Sequence, residues 1–460
     1  MNAQSPFENA NFCKLFAAQV TSLIGSGIAT VALALLAYDL AGGDAGQVLG
    51  TALAIKMVAY VFIAPVAGAY APRLPRRTLL IVLDLLRAVL IGALPFVTVV
   101  WQIYGLIFLL SACAAVFTPV YQAVIPEILV EEKQYTRALS YSRLAYDLES
   151  LASPTLAAIA LLFLSYDLLF ATNSMTFLMS AALIAVSILP SGRTSKSEET
   201  IWRNLTSGFR IYFATPRLRG LLALSFALSC GGAMVIVNTV VLVRSALGGD
   251  DSDTAVVLAC YGAGSMIVAL LLPKWLDRNT DRLPMIAGGA VTFIALGLGV
   301  LASNYLTVFV VWFLLGTGSS LIQTPVGRLL KRSSTVESRS AVYATQFALS
   351  HACWLIAYPL GGWAGGVIGI QLTFIILCLL ALGATVIAMR AWSANDEVAI
   401  THTHDQKTHS HLHVHDEHHQ HEHEGWEGPE PHQHRHQHQR IEHQHTFVVD
   451  RHHDSWPVGS

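Results

Sequence analysis

Apolar residues fill most of the chain in long runs that are separated by short polar turns. Each run is about as long as the roughly 20 residues that an α-helix needs to cross the hydrocarbon core of a bilayer. The pattern predicts an all-α membrane protein with twelve transmembrane helices. The predicted spans are residues 15–38, 48–70, 78–100, 103–123, 141–164, 168–189, 219–243, 255–273, 285–302, 306–326, 341–367 and 371–390.

A polar segment divides these spans into two sets of six. The pattern therefore predicts an N-terminal six-helix bundle at 1–190, a cytoplasmic linker at 191–218 and a C-terminal six-helix bundle at 219–391. Beyond residue 391 the apolar periodicity stops. Residues 392–460 contain too few hydrophobic side chains to offset the entropy of ordering, so we expect a disordered tail.

Composition supports the membrane assignment and separates the tail from the rest. Hydrophobic residues make up 53% of the 460 positions and charged residues only 13%, against about 25% charged residues in soluble domains. Residues 1–391 carry 24 Lys and Arg against 18 Asp and Glu, while 392–460 carry 4 against 12. The first part has a bilayer as its partner, and nothing in the charge pattern indicates nucleic acid.

Lys and Arg gather in the turns on one side of the predicted bundle. They occur in PRLPRRT at 72–78, VEEKQYTR at 130–137, the linker, and the turns at 274–282 and 327–339. The loops on the other side contain none apart from Arg244. Because cytoplasmic loops are enriched in Lys and Arg, both termini of this multi-pass protein are predicted to be cytoplasmic.

Similar basic turns follow the second span of each half, GAYAPRLPRR at 68–77 and PKWLDRNTDRLP at 273–284. They resemble the signature of the major facilitator superfamily, Gly-x-x-x-Asp-Arg-x-x-Arg-Arg, although Pro72 stands where the Asp is expected. The resemblance implies two related bundles around a central cavity, and a motif that braces them in one access state. The matching residues are Gly68, Arg73, Arg76, Arg77, Asp277 and Arg278.

A few ionisable residues fall inside predicted spans, where charge is costly and usually faces a cavity or a partner. We take Asp147, Glu149 and His351 as candidates for the transport path, where they would bind a cation or exchange protons. Two plainer interpretations stay open. Asp147 and Glu149 would be solvated if their helix ends near the headgroups, and His351 would simply be hydrogen-bonded to a neighbouring helix. Asp84 and Arg87 are spaced as a structural ion pair.

The tail holds 18 of the 19 histidines, many in His-x-His pairs. Imidazoles interleaved with carboxylates suit nickel, cobalt, zinc or copper, so the tail is predicted to bind such ions, while no cofactor is required. A solubilising or pH-sensing tail is the alternative, since imidazoles titrate near pH 6.5. The candidate ligands are His402, His404, His409, His411, His413, His415, His418, His419, His421, His423, His432, His434, His436, His438, His443 and His445.

Twelve spans joined to such a tail resemble the bacterial nickel-resistance permeases, a branch of the superfamily that exports nickel and, in some members, cobalt. The stretches that carry the likeness are LAIKMVAYVFIAPVAG, SRLAYDLESLASPTLAA and SHACWLIAYPLGGWAGG. The resemblance implies a protein of the bacterial inner membrane that exports a divalent metal substrate by proton antiport and confers metal resistance. A siderophore or drug exporter with a sensing tail and a membrane-tethered metal buffer remain alternatives. No nucleophile triad, HExxH or phosphate loop is present, so an enzyme is not expected.

Overall fold

The computed structural model describes most of the membrane part and several pieces of the tail. The described residues are 5–70, 75–129, 134, 138, 141, 142, 145, 156, 157, 159–161, 163–189, 206, 208–276, 279–335, 338–394, 399–404, 408–413, 432–437, 441–446, 448 and 456. The fifth predicted span, 141–164, falls largely outside them. The described residues of that span up to position 161, such as Tyr141 and Ala160, are helical.

The other eleven predicted spans are confirmed as helices, with bounds that differ by a few residues from those expected. The helices are α1 (Ala10–Ala41), α2 (Ala45–Tyr70), α3 (Arg76–Gly92), α4 (Val100–Ile128), α5 (Tyr166–Ala185), α6 (Pro216–Val241), α7 (Asp251–Leu276), α8 (Arg282–Gly299), α9 (Tyr305–Gln323), the short α10 (Val326–Arg332), α11 (Arg339–Val367) and α12 (Ile370–Ala391). In the described part of the chain, nine segments are long and apolar enough to cross a membrane, and one of them contains α1 and most of α2.

Among the residues that the structure describes, the two halves share a hydrophobic core at one face. We call the face at which Arg76, Lys274 and Arg332 lie the basic face, and the other the opposite face. One buried cluster near the opposite face contains residues of both halves, among them Leu49 and Val240. Towards the basic face the buried residues form separate clusters, one built from the N-terminal half and one from the C-terminal half. In the described part of the chain, the bundles are therefore joined at the opposite face and have separate cores at the basic face.

Glycines bring α2 and α11 into close contact near the opposite face. A Cβ atom added to Gly50 would lie 2.5 Å from the carbonyl oxygen of Tyr358 and 3.2 Å from the Cα of Gly362. Trp363 of α11 donates its Nε1–H to Oγ1 of Thr51 at 3.1 Å. Only residues without a side chain allow two helix backbones to approach this closely.

Asp84 and Arg87 form the ion pair that their spacing predicts, and they join three helices of the N-terminal half. The Asp84 carboxylate is fully buried, pairs with Arg87 and accepts a hydrogen bond from Ser180 of α5 at 2.6 Å. The guanidinium carbon of Arg87 lies 4.1 Å from the ring centre of Phe117 in α4 and 4.5 Å from that of Phe177. The pair is a structural bridge rather than part of an accessible path.

The tail differs from the prediction of disorder over four short segments. β1 (Ala399–His404) pairs antiparallel with β4 (Ile441–Thr446), and β2 (Thr408–His413) pairs antiparallel with β3 (His432–Gln437). The His-x-His pattern has the same two-residue period as a β-strand. Strand pairing also gives hydrogen-bond partners to backbone N–H and C=O groups in a sequence too polar to form a hydrophobic core. The tail histidines at 415, 418, 419, 421, 423 and 438 lie outside the described residues.

Candidate functional site

Four side chains from the two halves meet between α2 and α11, and we call them the α2–α11 cluster: Lys56, Tyr60, Phe347 and His351. The ring centres of Tyr60 and His351 are 5.4 Å apart, and those of Tyr60 and Phe347 are 6.2 Å apart. The Nζ atom of Lys56 lies 5.9 Å from the Tyr60 ring centre. The cluster lies on the basic side of the glycine contact, where the two halves begin to part.

Helical spacing explains why each helix contributes two members. Lys56 and Tyr60 are four residues apart on α2, and Phe347 and His351 are four residues apart on α11, so each pair shares one helix face. The Phe347 and His351 rings lie 3.9 Å apart. The sequence singled out His351, but Tyr60 and Phe347 looked like ordinary lipid-facing or core aromatics, and only the helix pairing reveals them.

His351 is oriented by a hydrogen bond to its own helix. Its Nδ1 lies 2.7 Å from the carbonyl oxygen of Phe347. A carbonyl oxygen only accepts, so Nδ1 carries the proton, and in the neutral imidazole Nε2 is then the basic nitrogen. Donation of one ring N–H to a backbone carbonyl is also how metal-binding histidines are commonly held. The ring is half-buried, which fits a group that faces a path between the bundles.

The other two predicted path residues, Asp147 and Glu149, lie outside the described residues. Whether they join His351 therefore stays a prediction. Among the side chains that are described, no three His, Cys, Asp or Glu residues come close enough to hold one metal ion.

Gln346 and Cys353, which lie near His351 in sequence, contact other residues of the C-terminal half instead of the α2–α11 cluster. Gln346 accepts a hydrogen bond from the Tyr212 hydroxyl and lies 3.4 Å from Ser225. Burial raises the pKa of the Tyr212 phenol, so it remains a donor. Cys353 is buried, with its Sγ 4.0 Å from the carbonyl oxygen of Leu222. These contacts fix the rotation of α11 and so the direction of the His351 face.

A charged clamp joins the halves at the opposite face. Arg244, in the π-helical turn after α6, pairs with Asp39 of α1 at 2.9 Å and with Asp251 of α7. The Tyr166 hydroxyl donates to Asp39 at 2.5 Å, and Tyr38 lies beneath the Arg244 guanidinium at 5.1 Å. A cavity of about 490 Å³ adjoins the clamp, lined by Tyr38, Arg244, Gly249, Asp250, Asp251 and Ser252.

In the sequence, Arg244 was only an exception to the charge asymmetry. The loop that carries it and the end of α1 are about two hundred residues apart, so no local pattern connects them. The clamp and the glycine contact close the same face, which makes this a conformation with the opposite face shut.

Part of the predicted bracing motif is described at the basic face. Gly68 lies in α2, Arg76 is buried, and Arg77 donates to the carbonyl oxygen of Ala185, at the end of α5. A cation there satisfies carbonyl groups that the helix end leaves unpaired. Arg73, Asp277 and Arg278 lie outside the described residues.

A neighbouring carboxylate that the motif does not include provides a brace in the C-terminal half. Asp281 is fully buried and lies 3.1 Å from Nε of Arg328 and 3.9 Å from Arg332. Arg328 also donates to the carbonyl oxygen of Asn279 at 2.8 Å. The contact ties the turn between α7 and α8 to α10. Sequence reasoning missed it because Asp281, four residues after Asp277, stands at a position where the motif has an arginine.

Two helical bundles that share a core at one face and part at the other define a membrane transporter of the major facilitator type. The family model described as transmembrane secretion effector matches residues 1–427. The chain belongs to this family of the major facilitator superfamily. It is accordingly a multi-pass secondary transporter and not an enzyme.

Relatives and solved structures agree with this assignment. The chain is 23% identical over 388 residues to the uncharacterized MFS-type transporter YfiS of Bacillus subtilis, covering 80% of this chain and 90% of that protein. It is 26% identical over 184 residues to macrolide efflux protein A of Streptococcus pyogenes, covering 39% and 45%. Its fold resembles an inward-facing, unoccupied bacterial homologue of the human lysosomal transporter Spinster, with a TM-score of 0.66 at 12% identity, over 85% of this chain and 100% of that chain. A D-xylose–proton symporter gives a TM-score of 0.62 at 13% identity, over 84% and 97%.

Proposed function

We propose that this transporter exports a divalent metal cation from the bacterial cytoplasm in exchange for protons, and so confers metal resistance. Nickel is the first candidate metal and cobalt the second. The observation that carries the proposal is the pairing of histidine positions in the tail. In β2 and β3, His409 pairs with His436, His411 with His434, and His413 with His432. In β1 and β4, His402 pairs with His443.

This register favours metal binding over a solubilising role for the tail. Residues directly opposite one another in an antiparallel ladder have Cβ atoms about 5 Å apart, and positions two apart in a strand share a face. Six histidine positions of β2 and β3 therefore fall on one face of the ladder as three adjacent pairs. Nitrogen ligands bind such ions at about 2 Å, and imidazole suits nickel, cobalt, zinc and copper.

His351 is the group we propose to take part in transport itself. Its basic Nε2 can accept a proton or a metal ion, and near neutral pH an imidazole changes between these states readily. We place Asp147 and Glu149 on the same path as the carboxylates that would complete a cation site. The basic face is then cytoplasmic by its Lys and Arg content, and the closed opposite face makes the conformation inward-facing.

A second candidate cargo is an organic molecule. The aromatic rings of Tyr60 and Phe347 beside Lys56 form a surface that suits a planar or anionic organic compound. The resemblance to a macrolide efflux protein favours the same reading. In that case the tail would sense metal or pH rather than deliver the substrate.

The experiment is nickel efflux from vesicles that contain the purified full-length protein, with and without an imposed proton gradient. We expect gradient-dependent nickel movement that His351→Ala abolishes. Ser350→Ala is the matched control, because the Ser350 hydroxyl also donates to the Phe347 carbonyl, at 3.0 Å, without being able to bind metal strongly. Nickel efflux should persist in that variant.

Three results would contradict the proposal in whole or in part. If nickel does not move while an organic anion or a macrolide does, the cargo is organic and the tail has a sensing role. If nickel moves equally in wild type and His351→Ala, export stands but His351 has no part in the path. Nickel bound by the tail without any flux would indicate a tethered metal buffer.

A further inference from the structure

The last described residue of the tail, Trp456, lies against the C-terminal bundle at its basic face. The guanidinium carbon of Arg217 is 5.0 Å from the Trp456 ring centre. The ring is half-buried and packs against a hydrophobic cluster that includes Tyr212, Leu330 and Trp392. A tryptophan four residues from the end of a polar tail is thus seated in a site formed by the membrane part of the protein.

Two described contacts with the membrane part of the protein orient Arg217 at this site. Arg217 is only 2% exposed, and its Nε donates to Oγ of Ser333 at 2.8 Å. Its terminal nitrogen donates to the carbonyl oxygen of Arg332 at 3.2 Å. Two hydrogen bonds therefore fix the guanidinium plane, and its removal from water strengthens the attraction to an aromatic face.

The first residue of the tail is fastened in the same cluster. Trp392 is 1% exposed, and its carbonyl oxygen accepts a hydrogen bond from Nε of Arg282 at 2.9 Å. The side chains of Trp392 and Trp456 thus contribute to one hydrophobic cluster. Both ends of the histidine-rich segment are at the basic face of one bundle.

The strand register agrees with this arrangement through an independent observation. Ala399 pairs with Thr446 in the outer ladder, and Thr408 pairs with Gln437 in the inner one. From the first pair to the second, one partner is nine positions later in the sequence and the other nine positions earlier. The two ladders therefore share the same antiparallel register. The pairing of β1 with β4 places the first described strand after Trp392 beside the last described strand before Trp456.

We propose that Trp456 is an anchor that docks on Arg217 and its hydrophobic surroundings, so that the histidine hairpin is fastened at both ends to the basic face of the C-terminal bundle. A flexible chain of about 50 residues tethered at one end spreads over about 40 Å. Fastening its second end confines the histidines near the division between the bundles. This consequence, the delivery of metal to the path, rests on the proposed function, whereas the docking does not.

Limited proteolysis of the full-length protein in lipid nanodiscs tests the docking in metal-free buffer. Trypsin cleaves after Arg451, five residues before the anchor, and mass spectrometry follows the release of residues 452–460. Cleavage of a docked segment tracks the population of its open form. We expect Trp456→Ala to speed this cleavage by about fivefold or more, and Trp456→Phe to have a smaller effect because it keeps an aromatic face.

Trp426→Ala is the matched control, since it removes the same side chain from the same tail. It should leave cleavage after Arg451 at the wild-type rate. Equal cleavage in wild type, Trp456→Ala and Trp426→Ala would overturn the anchor. An unchanged thermal midpoint for the membrane part in all variants confirms that only the tail was altered.

Nickel efflux from vesicles then tests the consequence separately. Effective concentration near the path predicts an efflux rate in Trp456→Ala that is about tenfold lower at limiting nickel and unchanged at saturating nickel, with the same number of nickel ions bound. Faster proteolysis with no nickel flux in wild type would retain the anchor and remove the proposed function. Faster proteolysis with unchanged efflux at limiting nickel would show that the anchor does not serve delivery.

Discussion

The glycine contact between α2 and α11 makes a quantitative prediction about the closed opposite face. In Gly50→Ala the new Cβ would lie 2.5 Å from the Tyr358 carbonyl oxygen, whereas ordinary contacts are about 3.5–4 Å. The obstructing atom belongs to a helix backbone and cannot rotate away, so the helices must separate by about 1 Å. Overpacking of this kind costs about 1–3 kcal/mol.

That cost applies only while the opposite face is closed. The helix-propensity gain of replacing Gly by Ala, up to about 1 kcal/mol, is the same whichever face is open, so it cancels. A bias of about 1–3 kcal/mol corresponds to a 5- to 150-fold change in the ratio of the two conformations. Gly50→Ala should therefore populate conformations in which the opposite face is open.

The assay is a distance distribution between two spin labels across the opposite face, measured on full-length protein in nanodiscs. Labels carried by unnatural amino acids at positions 43 and 306 leave the native cysteines in place. Gly105→Ala is the matched control, because it is also a helical glycine and a Cβ there meets nothing within 4 Å. A distribution for Gly50→Ala that equals those of wild type and Gly105→Ala would refute the reasoning.

Two further variants test the charged contacts. Arg87→Ala leaves the fully buried Asp84 without its cation, which should cost about 3–5 kcal/mol of stability and lower the thermal midpoint. The double variant with Asp84→Ala should recover part of that loss, and no recovery would mean that the pair is not the cause. Arg244→Gln removes partly exposed ion pairs, each contributing about 0.2–1 kcal/mol. It should widen the same label distance less than Gly50→Ala does, and a larger effect would contradict this ranking of the two contacts.

Much of the fold could be read from the sequence because hydropathy is a local property. Runs such as 219–243 and 371–390 must be helical in a bilayer, where every backbone group needs an internal partner, and the structure places α6 and α12 there. The Asp84–Arg87 pair was readable for the same reason, since a spacing of three residues sets both side chains on one helix face. The alternating histidines could equally have indicated strands, but the polarity of the tail favoured disorder.

The site was only partly readable. His351 stood out because it is the one histidine outside the tail, yet its companions Tyr60 and Phe347 are ordinary residues for a membrane helix. Arg244 looked like an irregularity in the charge pattern, although it bridges Asp39 and Asp251. The docking of Trp456 on Arg217 has no local signature at all.

The sequence by itself thus determined the helices and the basic turns, since each depends on how a short segment interacts with lipid or water. Tertiary structure alone decided which helices meet, which face is closed and which side chains share a site. Those outcomes depend on contacts between residues hundreds of positions apart, such as Gly50 with Tyr358. In lipid such contacts are selected by the fit of two surfaces rather than by their hydrophobicity, because lipid tails are as apolar as the helices themselves.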